Sequence, residues 1–148
     1  MKIVLQRVKQ ASVEVQGKIV GKIGQGVCLL VGVEKGDSEE DAQYLAKKIS
    51  ELRIFPDDKD KMNLSLLEIG GEVLAISQFT LAGSIKKGRR PSFDKAEAPE
   101  KAEGLFNIFV GLIKEKGLRV KTGVFGALMD IYLINDGPVT FILQERKR

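Results

Sequence analysis

Two stretches combine residue types and spacing that could do chemistry: Ser77-Gln78-Phe79-Thr80-Leu81 and Asn135-Asp136-Gly137-Pro138-Val139-Thr140. The first closes a strand in a run of hydroxyls, an amide and backbone N–H groups. Where a strand end leaves its sheet, successive N–H groups can point outward together. Two such donors, at Phe79 and Thr80, would form an oxyanion hole for acyl transfer. Ser77 and Thr80 would add hydroxyls, and Gln78 a side-chain amide. The second stretch carries a Gly-Pro bond, where a cis peptide costs least; it also reads as a hairpin turn. Taken alone, each is an ordinary strand end or an ordinary turn, because short motifs are weak evidence.

The rest of the inventory is bare. The chain has no histidine and a single cysteine, which excludes a serine–histidine triad and argues against a zinc site. Chemistry must therefore come from hydroxyls, amides, oriented backbone groups or the substrate. Gly83-Ser84-Ile85-Lys86-Lys87-Gly88 has the glycine spacing of a phosphate loop, but Arg89-Arg90 stands where Lys-Ser/Thr is needed and Pro91 where a helix should open. Asp57, Asp58 and Asp60 hint at calcium, yet Lys59 and Lys61 occupy ligand positions. No cofactor and no metal are expected. Cys28 lies in the apolar run Val27-Cys28-Leu29-Leu30-Val31 and reads as a small buried hydrophobe.

At 148 residues the chain suits one domain, residues 1–148, with a proper core. Its longest apolar run is far too short to span a membrane, and its first residues turn polar too soon for a secretory signal. Cytoplasm is the default compartment. With 24 Lys+Arg against 20 Asp+Glu the charge bias is mild. Its placement says more: Lys86-Lys87-Gly88-Arg89-Arg90 and Arg146-Lys147-Arg148 are the clusters a phosphate backbone would meet, or else a solvated loop and tail.

The elements that must position these groups follow from periodicity. Ile3-Val4-Leu5-Gln6-Arg7-Val8 is apolar on both faces, and period two puts Arg7 in line with Ile3 and Leu5. Five donors there need several acceptors, so Arg7 is a structural clamp or part of a site. Residues 12–16, 19–23 and 26–33 read as further strands, with a turn at Gln16-Gly17-Lys18. Asp37 or Ser38 caps a helix whose apolar stripe is Ala42, Leu45, Ala46, Ile49 and Leu52. Residues 64–69 and 72–81 read as strands joined at Gly70-Gly71, followed by a polar, basic loop to about 94. A second helix spans residues 99–116, with Pro99 in its first turn and Gly117 past its end. Residues 118–121, 128–134 and 139–143 complete the strands. The pattern predicts an α+β fold: a curved, mostly antiparallel sheet forming a partly closed barrel, with two main helices.

Together these stretches resemble the D-aminoacyl-tRNA deacylases, also called D-tyrosyl-tRNA deacylases. Arg53-Ile54-Phe55, Lys61-Met62-Asn63-Leu64-Ser65, Gly88-Arg89-Arg90-Pro91-Ser92-Phe93 and Thr122-Gly123-Val124-Phe125-Gly126-Ala127-Leu128-Met129 extend the resemblance along essentially the whole chain. It implies hydrolysis of the ester between a D-amino acid and the 3′ end of tRNA, with achiral glycyl-tRNA as a candidate further substrate. It implies a homodimer in which a cis Gly137-Pro138 turn reaches across to Ser77, Gln78, Phe79 and Thr80 of the other subunit, with Arg7 holding the tip. Phe125 and Met129 would pack on the terminal adenine. The attacking water would be helped by a tRNA 2′-OH, with Thr80 as a covalent nucleophile the competing version. Two other readings stay open: a non-catalytic tRNA- or nucleic-acid-binding module, and an editing domain for one mischarged L-amino acid.

Overall fold

A computed structural model describes residues 1–144, apart from the side chain of Pro138. The Arg146-Lys147-Arg148 cluster lies outside the described residues. The chain is built around one long strand, β1 (Lys2–Val15), where the sequence reading has two. Residues 2–8 of β1 pair antiparallel with β3 (Gly26–Gly32), and residues 11–15 with β2 (Lys18–Ile23). Its opposite edge is taken by β8 (Asp130–Leu143). Beyond β3 lie β6 (Glu72–Ser77) and β7 (Arg119–Thr122). A short ribbon, β4 (Phe55–Pro56) with β5 (Met62–Leu64), stands apart.

The antiparallel expectation holds for every ladder of β1, whereas β3–β6 and β6–β7 are parallel. Parallel neighbours need a long crossover. The two main helices, α1 (Glu39–Glu51) and α3 (Pro99–Glu115), lie in those crossovers. The sheet nearly closes because β2 returns against β7. A Cβ on Gly21 would sit 2.9 Å from the Thr122 carbonyl oxygen, so only a residue without a side chain lets these strands meet so closely.

Alternation then divides the core in two. Ile3, Leu5, Val27, Leu29, Val31, Val73 and Ala75 face the helices and meet Leu45, Ile49, Phe106 and Phe109. Val8, Ala11, Val13, Ile23, Cys28, Leu74 and Ile76 fill the barrel interior. This is why β3 reads as apolar throughout. Ser38 caps α1, its N–H donating to Asp41 Oδ2 at 2.9 Å, and the predicted stripe from Ala42 to Ile49 is buried. The second helix opens at Pro99 as predicted and buries Leu105, Phe106, Phe109, Val110 and Ile113.

Three expectations are corrected. Residues 66–69 are a one-turn helix, α2 (Leu66–Ile69), and not a strand. Ser65 and Glu68 cap each other reciprocally, and Gly70 ends the turn with φ 63°. The strand expected over 72–81 stops at Ser77 and passes into a 3-10 turn, Phe79–Ala82. The hairpin reading of Asn135–Pro138 also fails. Both flanks of Gly137 run in one direction along β1, Asn135 opposite Val8 and Thr140 opposite Gln6, so residues 136–139 form an outsized bulge opposite Arg7. Among the described residues, no helix is long and apolar enough to cross a membrane.

Candidate active site

At the carboxyl end of β6 the chain leaves the sheet as the sequence suggests. Gln78 N–H donates to the Val31 carbonyl at 2.7 Å, the last tie to β3. The 3-10 turn then spends Leu81 N–H on Gln78 O (3.2 Å) and Gly83 N–H on Thr80 O (3.0 Å). The first N–H groups of any helical turn have no acceptor within it. Accordingly, among the described residues no acceptor meets the N–H of Phe79 or Thr80. The Gln78 side-chain amide donates to Thr80 Oγ1 at 2.6 Å, which leaves the hydroxyl proton to be given elsewhere. Phe79 and Thr80 are exposed, and the Phe79 ring meets Phe93 at 5.2 Å between centroids.

Phe125 and Met129 reach the same edge. Because β6 and β7 are parallel, with Ala75 opposite Thr122, residues 123–129 leave the sheet at the end where 77–80 leave it. Phe125 is half-buried and rests on Phe106 at 6.4 Å; Met129 is half-buried against the barrel interior.

The Gly137-Pro138 turn is held separately. Arg7 is buried, as a clamp must be. Its Nε donates to the Asp136 carbonyl at 3.2 Å and lies 3.2 Å from the Asp136 carboxylate, while Nη1 donates to the Ile54 carbonyl at 2.6 Å. The guanidinium also stands 6.0 Å from the Phe55 ring centre. Sequence reasoning missed Gln6. Its amide donates to the Asn135 side chain and to the Val139 carbonyl (3.1 Å) and accepts from the Thr140 hydroxyl (2.5 Å), closing the bulge at its base. Nothing local to Gln6 signals this; only the register of β1 against β8 does.

The chain by itself does not bring the two motifs together. Ser77 lies opposite Val31, Val31 opposite Ile3, and the bulge opposite Arg7. Three strand spacings and four residues of rise separate them by on the order of 20 Å along the sheet.

Other reactive groups are spent. Burial pushes the Cys28 thiol up to about 11, so it stays protonated at neutral pH. The N–H groups of Lys61 and Lys59, with the Asn63 amide, hold the Asp57 carboxyl below the usual range and close its loop.

The family profile described as D-Tyr-tRNA(Tyr) deacylase matches residues 4–144. The chain belongs to the D-Tyr-tRNA(Tyr) deacylase family. The D-aminoacyl-tRNA deacylase of Pelobacter propionicus is 59% identical over 144 residues, covering 97% of this chain and 99% of that relative. The one from Geobacter sulfurreducens is 57% identical over 148 residues, covering 100% and 97%. The solved structure of a c-Myc DNA Unwinding Element Binding Protein superposes with a TM-score of 0.92 at 38% identity, covering 99% of this chain and 100% of that one. In this member of the deacylase family, the 77–80 segment can offer two backbone donors and a hydroxyl to a developing oxyanion, at an edge flanked by an aromatic ring and a thioether.

Proposed function

We propose that the protein hydrolyses the ester of D-aminoacyl-tRNA in the cytoplasm, releasing free D-amino acid and tRNA. The observation that carries this reading is the unspent pair of N–H groups at Phe79 and Thr80. Water attacks the ester carbonyl, the oxyanion forms against these donors, and the bond to the ribose 3′-oxygen breaks. One such donor is worth roughly 3–4 kcal/mol in comparable acyl-transfer sites. With no histidine in the chain, the water's proton passes to the leaving oxygen through the neighbouring ribose 2′-OH. Phe125 and Met129 pack on the terminal adenine.

In this reading the enzyme is a homodimer, and the bulge of one subunit enters the other's 77–80 site. The separation of the two motifs within a subunit supports this. So does β8, which leaves Tyr132, Leu133, Ile134, Phe141 and Ile142 exposed on a long strand lying outside the barrel, an edge that native proteins cover. Handedness is then read by backbone. Carbonyl oxygens of a cis Gly137-Pro138 turn accept from the substrate α-ammonium, and an L side chain is driven into close-packed backbone. Glycine, with no side chain, passes the same filter.

A deacylation assay pairing D- and L-tyrosyl-tRNA tests the proposal: the D-ester is expected to be cleaved and the L-ester spared. Similar rates would sink the chiral reading. The close superposition on a protein named for binding a DNA element favours a second reading, a nucleic-acid-binding module without turnover. Such a module would protect both esters, so the same assay separates them.

A further inference from the structure

We infer that a basic cup beside the 77–80 segment binds backbone phosphates of the acylated RNA, those of the nucleotides just before its terminal nucleoside; this rests on the reading above. The cup has a volume of about 270 Å³ and is lined by Ser84, Lys86, Lys87, Ser92, Asp94 and Lys95. That is room for several waters, and so for a phosphate group. Its floor is fixed. Ser84 and Ser92 exchange backbone hydrogen bonds of 2.7 and 2.9 Å across the neck of the loop. Its return arm is tied to the end of β3, Lys35 N–H donating to the Lys95 carbonyl at 2.8 Å and Glu97 N–H to the Val33 carbonyl at 3.1 Å.

Its chemistry is that of an anion site. Its lining carries three lysines and one aspartate, and among the described residues none of the three is ion-paired, to Asp94 or to any other carboxylate. The hydroxyl oxygens of Ser84 and Ser92 accept long hydrogen bonds (3.5 Å) from the N–H groups of Lys86 and Asp94, so both hydroxyl protons remain to be donated. Arg89 and Arg90 do not line the cup. Position identifies the anion. The loop leaves the 3-10 turn at Gly83, and on its return Phe93 packs on the Phe79 ring at 5.2 Å. An RNA whose ester sits at Phe79 and Thr80 has its next phosphates within reach of these lysines. Lysine suits that task, since it meets phosphates as a mobile point charge and carries no sequence information.

The test compares wild type with the triple variant Lys86→Ala, Lys87→Ala, Lys95→Ala on D-tyrosyl-tRNA and on D-tyrosyl-adenosine, an ester without phosphates. Affinity for uncharged tRNA is measured in parallel across salt. The triple variant should raise KM for the tRNA about tenfold with kcat little changed, the pattern of removed uniform binding. It should leave D-tyrosyl-adenosine cleavage unaltered and flatten the salt slope by about 0.7 for each phosphate that is no longer neutralised. An unchanged slope and KM, or equal losses on both esters, would overturn the cup. So would a salt slope carried entirely by Arg89 and Arg90. Wild type inert on both esters would instead defeat the deacylase reading, while the binding slope would still judge the cup.

Discussion

Thr80 presents the sharpest chemical choice. Its hydroxyl accepts from the Gln78 amide, and the chain holds no histidine to deprotonate it, so it lacks the activated setting of a covalent nucleophile. Thr80→Ala should therefore keep substantial activity, within about tenfold of wild type, since its backbone N–H survives the change. A tRNA ending in 2′-deoxyadenosine should lose most activity. Single-turnover deacylation with both changes decides it; a dead Thr80→Ala and an active deoxy substrate would establish the covalent route. At the other motif, the two clamp residues contrast in legibility. Arg7 announces itself as a charge in line with buried Ile3 and Leu5, whereas Gln6, with as many ties to the bulge, looks like any strand glutamine.

The β6–β7 pairing holds the 77–80 edge and the 123–129 segment in one frame, and closure of β2 against β7 turns on Gly21. Gly21→Val would place a branched side chain against the Thr122 carbonyl, where a Cβ alone already stands at 2.9 Å. Forced overpacking of this kind costs about 1–3 kcal/mol. Urea unfolding should show that loss, and an unshifted midpoint would mean that β2 and β7 do not meet there. At this scale the sequence was readable wherever an element's own period or end signals decide its state, as in the stripe of α1 and the Pro99 and Gly117 ends of α3. It was unreadable where pairing decides. The parallel order of β3, β6 and β7 is set by helical crossovers, and the single run of β8 by its register on β1; neither leaves a local mark. Residues 66–69 misled for another reason: their leucines and isoleucine suit a strand, and the reciprocal Ser65–Glu68 cap overrides that composition. Within the site, the strand end points to the proposed oxyanion donors, but the freedom of those N–H groups from acceptors needed the 3-10 turn.

Taken whole, the proposed enzyme places each half of its site on a different subunit, and that arrangement can be tested by mixing. Phe79→Pro removes one oxyanion donor, because proline has no N–H. Gly137→Ala alters only the turn: an added Cβ comes no closer than 3.7 Å to its own chain, to the Asn135 side chain, so the subunit should fold normally. Each variant alone should be inactive. Unfolded and refolded together, they should recover about a quarter of wild-type activity, since half the dimers then carry one intact site of two. No recovery, with mixed dimers present by mass spectrometry, would return the turn to its own subunit.

The bulge opposite Arg7 also bears on how such a protein can change over generations. In an ordinary strand, adding one residue flips every later side chain to the wrong face. Here the Gln6–Thr140 and Val8–Asn135 pairs close beneath residues 136–139, so the excursion can grow, shrink or exchange residues while the ladder on either side keeps its register. The part that would read the substrate is thereby uncoupled from the part that makes the fold. New selectivities can be tried at that tip without rebuilding the barrel that presents it.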